Sequence, residues 1–189
     1  MAILKSICVY CGSSAGTKPE YARAAREMGR LLGSTGRTLV YGGGGIGLMG
    51  ETARAAMAAG GRVLGVIPTH LNTAERAYGE VELRVVTSMH ERKQAMADLA
   101  DGFIALPGGL GTFDELFEIL TWNQIGLHGK PVGLLNVAGY FDVLLALIEH
   151  AVREGFAPKT ARSRILVAIT PSELLEAMDA CTEEQASDL

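Results

Sequence analysis

The sequence predicts an α/β fold: a doubly wound parallel sheet in a single domain of residues 1–181, followed by a polar tail, 182–189. Three observations carry this. The 189 residues are enough for one ordinary domain. Short apolar runs alternate with segments of helical periodicity along the whole chain. The apolar runs are continuous rather than alternating, as in strands covered on both faces.

The strands are expected at 6–10, 38–41, 62–67, 83–87, 102–106, 132–136 and 165–168, and the helices at 19–32, 47–59, 89–100, 112–125, 140–154 and 171–180. The spacing Cys8-Val9-Tyr10-Cys11 sits at the end of the first strand's apolar run, Ile7 to Tyr10. Residues three apart on a strand point to opposite faces, so this reads as core rather than as a redox pair. Pro19 and Pro171 open the first and last helices, where a missing N–H costs nothing. Ser88-Met89-His90-Glu91 reads as a capping box, with Met89 and Met96 turned toward the core. Thr112 is expected to cap the helix of Leu116, Phe117, Ile119, Leu120, Trp122 and Ile125. That helix is apolar nearly all round, so it needs cover from its own sheet and from a second subunit.

Composition narrows the function. A formal net charge of −4 argues against a nucleic-acid polymer or a membrane surface as partner. Three cysteines and four histidines show no disulfide framework and no ligand spacing, so neither a metal nor a cofactor is expected. The start, Met1 to Lys5, lacks the apolar core of a signal peptide, and a cytoplasmic location is expected.

The chemistry is expected beyond the carboxyl ends of the strands. With a strand order of 3-2-1-4-5, four loops line that crevice: Cys11–Ser14, Gly42–Gly47, Ser88–Lys93 and Pro107–Thr112. Two of them are glycine clusters that open helices. Gly43, Gly44, Gly45 and Gly47 form one, and Gly108, Gly109 and Gly111 with Leu110 and Thr112 the other. Glycine lets backbone N–H groups approach an anion, and the helix that follows adds its positive end. Tight strand-to-helix turns would also use glycine, but two clusters on one crevice favour a phosphate. The pattern Gly42-x-Gly44-x-x-Gly47 matches a dinucleotide fingerprint, yet no carboxylate follows the next strand before Glu75. Neither loop carries the Gly-Lys-Ser/Thr of a P-loop, so a simpler phosphate ester fits better than NAD or a nucleoside triphosphate.

Arg92 and Lys93 fall in the first turn of their helix, unfavourably for its dipole, and are expected to meet an anion. Glu115 lies one turn into the helix after the second glycine loop, sharing a face with Glu118 and Trp122.

Three runs together resemble the LONELY GUY (LOG) family: Gly43-Gly44-Gly45-x-Gly47-Leu48-Met49-Gly50, Met89-His90-Glu91-Arg92-Lys93 and Pro107-Gly108-Gly109-x-Gly111-Thr112-x-x-Glu115. The resemblance covers nearly the whole chain, from Tyr10-Cys11-Gly12-Ser13-Ser14 to Glu154-Gly155-Phe156. It implies a Rossmann-like homodimer that hydrolyses the N-glycosidic bond of cytokinin riboside 5'-monophosphates, giving free base and ribose 5-phosphate. By motif it implies Arg92 and Glu115 as the catalytic pair. Lys93, Gly108 to Thr112, Phe113, Asp114 and Thr121 match substrate-contacting positions, and Glu75 an upstream binding glutamate. The first glycine cluster and Met89 complete the expected binding set. Asp114 stands where many members carry glutamate. A general AMP nucleosidase and a non-catalytic nucleotide carrier are the competing functions. The lysine decarboxylase label often given to such sequences implies a Schiff-base lysine.

Overall fold

A computed structural model describes residues 4–73 and 78–187, with the side chains of 184–187 left aside. Strands β1 (Ser6–Tyr10), β2 (Thr38–Tyr41), β3 (Val63–Pro68), β4 (Glu82–Val86), β5 (Gly102–Ala105), β6 (Val132–Leu135) and β7 (Ile165–Ala168) form one sheet. Helices α1 (Pro19–Ser34), α2 (Gly47–Ala58), α3 (Met89–Leu99), α4 (Leu110–Gln124), α5 (Asp142–Arg153) and α6 (Pro171–Ser187) flank it.

The strand order is 4-3-2-1-5-6-7, and every neighbouring pair is parallel. The sheet therefore reverses between β1 and β5, and the expected placing of the 83–87 strand beside β1 is corrected. That strand, β4, pairs with β3 at the edge. Its sequence explains the position: Glu82 and Arg84 are exposed, and a strand covered on both faces could not carry them. Helix α3 then crosses from the edge back over β3, β2 and β1.

Each face of the sheet has its own core. Ile7 and Val9 join Met28, Leu32, Leu48 and Met178 beneath α1, α2 and α6. Cys8 and Tyr10 join Met96, Leu116, Phe141 and Ile148 beneath α3, α4 and α5. Cys8 and Cys11 consequently lie in different cores, as the strand period requires. Helix α6 continues as far as Ser187, through most of the segment expected to be a tail.

Two helix starts differ from expectation. The Ser88 hydroxyl accepts from the Glu91 amide at 3.1 Å, but the Glu91 carboxylate takes the Thr87 amide and hydroxyl, not the Ser88 amide. Helix α4 begins at Leu110 with Gly109 as its N-cap, so Thr112 is a buried residue of the first turn rather than the cap. Met96 is fully buried, whereas Met89 is 37% exposed and does not face the core.

Candidate active site

At the carboxyl ends of the strands the loop after β1 is tied to its neighbours by the backbone. The Gly12 amide donates to the Pro107 carbonyl at 3.0 Å, and the Gly12 carbonyl accepts from the Leu48 and Met49 amides at the start of α2. Gly47 opens α2 with a φ of +59°, and a Cβ there would lie 2.2 Å from Ser13. Only glycine permits both the conformation and the contact.

A cavity of about 580 Å³ opens between these loops. Its wall contains Cys11, Gly12 and Ser13 after β1, Gly42, Gly44, Ile46 and Met49 at α2, Ile67 at the end of β3 and Leu71 beyond it, and Gly109 to Thr112 at α4. Arg92 and Glu115 complete it.

The Arg92 guanidinium is held at two points. Its Nε donates to the Val66 carbonyl at 3.0 Å, and one terminal nitrogen donates to a Glu115 carboxylate oxygen at 2.8 Å. Both side chains are 11% exposed. Burial, the largest influence, raises the Glu115 carboxyl above the ordinary carboxylate value, and the Arg92 charge and hydrogen bond pull it back only in part. Burial likewise pushes the Cys11 thiol far up, so it stays protonated and unreactive.

Lys93 turns elsewhere. Its ammonium lies 3.0 Å from Glu118 and 3.2 Å from Asp114, outside the cavity wall. Burial opposes its charge, but the two carboxylates outweigh that and raise its pKa. The anions met by the Arg92–Lys93 pair are thus carboxylates of α4.

Of the residues expected from sequence, the cavity brings together Gly44, Arg92, Gly109, Leu110, Gly111, Thr112 and Glu115. Gly43, Gly45 and Gly47 belong to the same loop without lining the cavity, and Gly108 borders a smaller adjoining cavity with Ser14, Tyr21 and Tyr140. Met89, Lys93, Phe113 and Asp114 stand outside the wall. Thr121 is exposed, donates to the Phe117 carbonyl and lines a groove between α4 and α5. Glu75 lies outside the described residues. Sequence reasoning missed Ile46, Met49, Ile67 and Leu71, whose apolar character carries no signal until the loops meet. The Cys11–Ser14 loop was visible as a crevice loop, but none of its residues stood out.

Fold and site together define a Rossmann-like α/β protein with a glycine-lined cavity at the carboxyl ends of its strands. The family model described as "Possible lysine decarboxylase" matches residues 49–178. The cytokinin riboside 5'-monophosphate phosphoribohydrolase LOG of Oryza sativa subsp. japonica is 52% identical over 172 residues, covering 90% of this chain and 71% of its own. LOG3 of Arabidopsis thaliana, of the same activity by name, is 49% identical over 189 residues, covering 98% and 88%. The chain belongs to this LOG family. Among solved structures, the molybdenum cofactor binding protein of Rippkaea orientalis superposes with a TM-score of 0.71 at 24% identity, covering 95% of this chain and 98% of that one, and so shares the fold. The family model's description implies a pyridoxal lysine, which this cavity does not fit: among the described residues no lysine lines its wall, and Lys93 is engaged by Asp114 and Glu118.

Proposed function

We propose that the protein hydrolyses the N-glycosidic bond of N6-substituted adenosine 5'-monophosphates, releasing the free base and ribose 5-phosphate. The observation that carries this reading is the buried Arg92–Glu115 pair in the wall of a glycine-lined cavity of about 580 Å³. That size suits a nucleotide.

In this reading the 5'-phosphate meets the backbone N–H groups of the first turn of α4, Gly109 to Thr112, with the Gly42–Gly47 loop opposite. Those N–H groups have no partner within the helix and stand at its positive end. As the bond from C1' to the purine nitrogen breaks, its electron pair leaves with the base and positive charge develops on the sugar. The Glu115 carboxylate stabilises that charge; at about 4 Å and an effective dielectric near 20 the attraction is worth roughly 4 kcal/mol. Water then adds to C1', with the same carboxylate orienting it and accepting its proton, which passes to the departing base and restores the carboxylate. Arg92 keeps Glu115 ionised against its burial.

The reading includes a homodimer in the cytoplasm. Apolar side chains support the second copy: Phe117 and Ile125 at α4, Leu127 beyond it, and Val143 and Leu147 on α5 are 39%, 63%, 68%, 80% and 55% exposed.

The test is to incubate the protein with AMP and with N6-isopentenyl-AMP, following free base and ribose 5-phosphate. Faster turnover of the prenylated nucleotide is expected. Equal rates would make the protein a general AMP nucleosidase, and no product from either would end the hydrolase reading.

A further inference from the structure

The loop from β5 into α4 is shaped by a residue that is remote in sequence. Tyr140 follows the 3₁₀ turn Val137–Gly139, in which Ala138 has a φ of +51°, a conformation that non-glycine residues adopt at a cost. Asn136 locks this connection. Its side chain accepts from the Phe141 amide and donates to Asp142, both at 2.7 Å. The turn delivers the Tyr140 ring parallel to Phe113, with 6.4 Å between centroids and 6° between planes, and edge-on to Tyr21 at 5.7 Å. The Tyr140 hydroxyl donates to the Gly108 carbonyl.

Tyr140 therefore grips the loop at both ends, through its hydroxyl at Gly108 and its ring at Phe113. In a trans peptide the carbonyl and the next N–H point in opposite directions. Holding the Gly108 carbonyl toward Tyr140 sends the Gly109 N–H away from it. Gly109 is shared by the small cavity that Tyr140 lines and the larger one that Arg92 and Glu115 line. The preceding carbonyl, of Pro107, is tied to the Gly12 amide at 3.0 Å. Thr112 packs so closely over Gly108 that a Cβ there would lie 2.1 Å from its hydroxyl.

We infer that Tyr140 is a positioning residue for the substrate phosphate: its hydroxyl orients the Gly108–Gly109 peptide so that the start of α4 presents its N–H groups as a formed anion site. This rests on the proposed placing of the phosphate at α4. A preorganised donor binds more tightly because no ordering is left for the binding step.

The test is Tyr140→Phe, which removes the hydroxyl and keeps the ring stack. KM for AMP and the inhibition constant for inorganic phosphate are expected to rise together by roughly five- to tenfold, the effect of one hydrogen bond. The kcat should stay within about twofold, because Arg92 and Glu115 are not touched. Tyr140→Leu, lacking ring and hydroxyl, should raise both constants further. Unchanged KM and phosphate inhibition in Tyr140→Phe, or a fall in kcat at constant KM, would overturn the assignment. So would an effect confined to Tyr140→Leu, which would give the role to the ring. Wild-type enzyme that turns over AMP yet ignores phosphate and ribose 5-phosphate would instead remove the phosphate site itself, and the inference with it.

Discussion

The Arg92 guanidinium meets the Glu115 carboxylate at 2.8 Å while its Nε is held by the Val66 carbonyl, so β3, α3 and α4 converge on one ion pair at the cavity wall. The pair joins a group that is always charged to one that burial works to neutralise. Its chemistry should therefore depend on pH in a definite direction.

In the proposed reaction Glu115 works as a carboxylate, and its pKa is raised, first by burial. Activity should be complete at high pH and be lost as pH falls through a value above the ordinary glutamate pKa of about 4.3. A kcat/KM profile for AMP reads this limb directly. Glu115→Gln should cost roughly 100-fold or more in kcat with the fold retained. Arg92→Lys, keeping a charge but losing the two-point hold, should leave slow turnover with the acid limb moved higher still. An acid limb at or below 4.3 would contradict the burial argument.

Gly42 makes room for this pair. A Cβ at that position would lie 2.1 Å from an Arg92 terminal nitrogen and 3.3 Å from the Met49 sulfur. The Gly42 backbone is not among those of positive φ, so alanine would be tolerated there were it not for Arg92. Gly42→Ala should displace the guanidinium, lowering kcat by roughly tenfold or more and moving the acid limb upward. Steady-state kinetics across pH, with circular dichroism to confirm the fold, checks this.

Away from the site, Arg37 joins the start of the chain to α6. Its Nε donates to the Leu4 carbonyl at 3.1 Å and a terminal nitrogen meets Asp179 at 2.5 Å, with the Arg37 side chain only 8% exposed. Asp179→Ala would strand a buried guanidinium. The cost is about 2 kcal/mol, below the range for fully buried pairs because Asp179 is 24% exposed. Melting should fall by roughly 4–8 °C for a domain of this size. The kcat for AMP should not change.

The central strands could be read from sequence because each is apolar on both faces; Ile7 to Tyr10 needs no tertiary information to be placed in a covered parallel sheet. Strand order was less visible. The edge position of β4 depends on Glu82 and Arg84 being exposed, and two charges among Leu83, Val85 and Val86 do not separate an edge strand from an amphipathic central one. The start of α4 was misplaced because Thr112 has the chemistry of a cap, while the true cap, Gly109, has no side chain. Arg92 and Glu115 could be named from their motifs. Their contact could not, since they stand 23 positions apart and meet only because α3 returns across the sheet.

Lys93 tests how far a motif can be carried onto a structure. The family resemblance implies a substrate contact, but the ammonium is 3.0 Å from Glu118 and 3.2 Å from Asp114, and the residue is absent from the cavity wall. These contacts join α3 to α4 beside the Arg92–Glu115 pair, from the residue after Arg92 to the residue before Glu115 and the one three after it, so Lys93 is expected to fix how the two helices meet. Lys93→Ala should lower kcat by roughly three- to tenfold, leave KM for AMP within about twofold, and cost about 1 kcal/mol or less of stability, since Asp114 is 61% exposed and the pair is screened. Lys93→Arg, which keeps the charge and the reach, should restore most of the kcat. A substrate contact would show the reverse: KM rising at least tenfold with kcat retained. Steady-state kinetics of the two variants decides between a helix clamp and a ligand group.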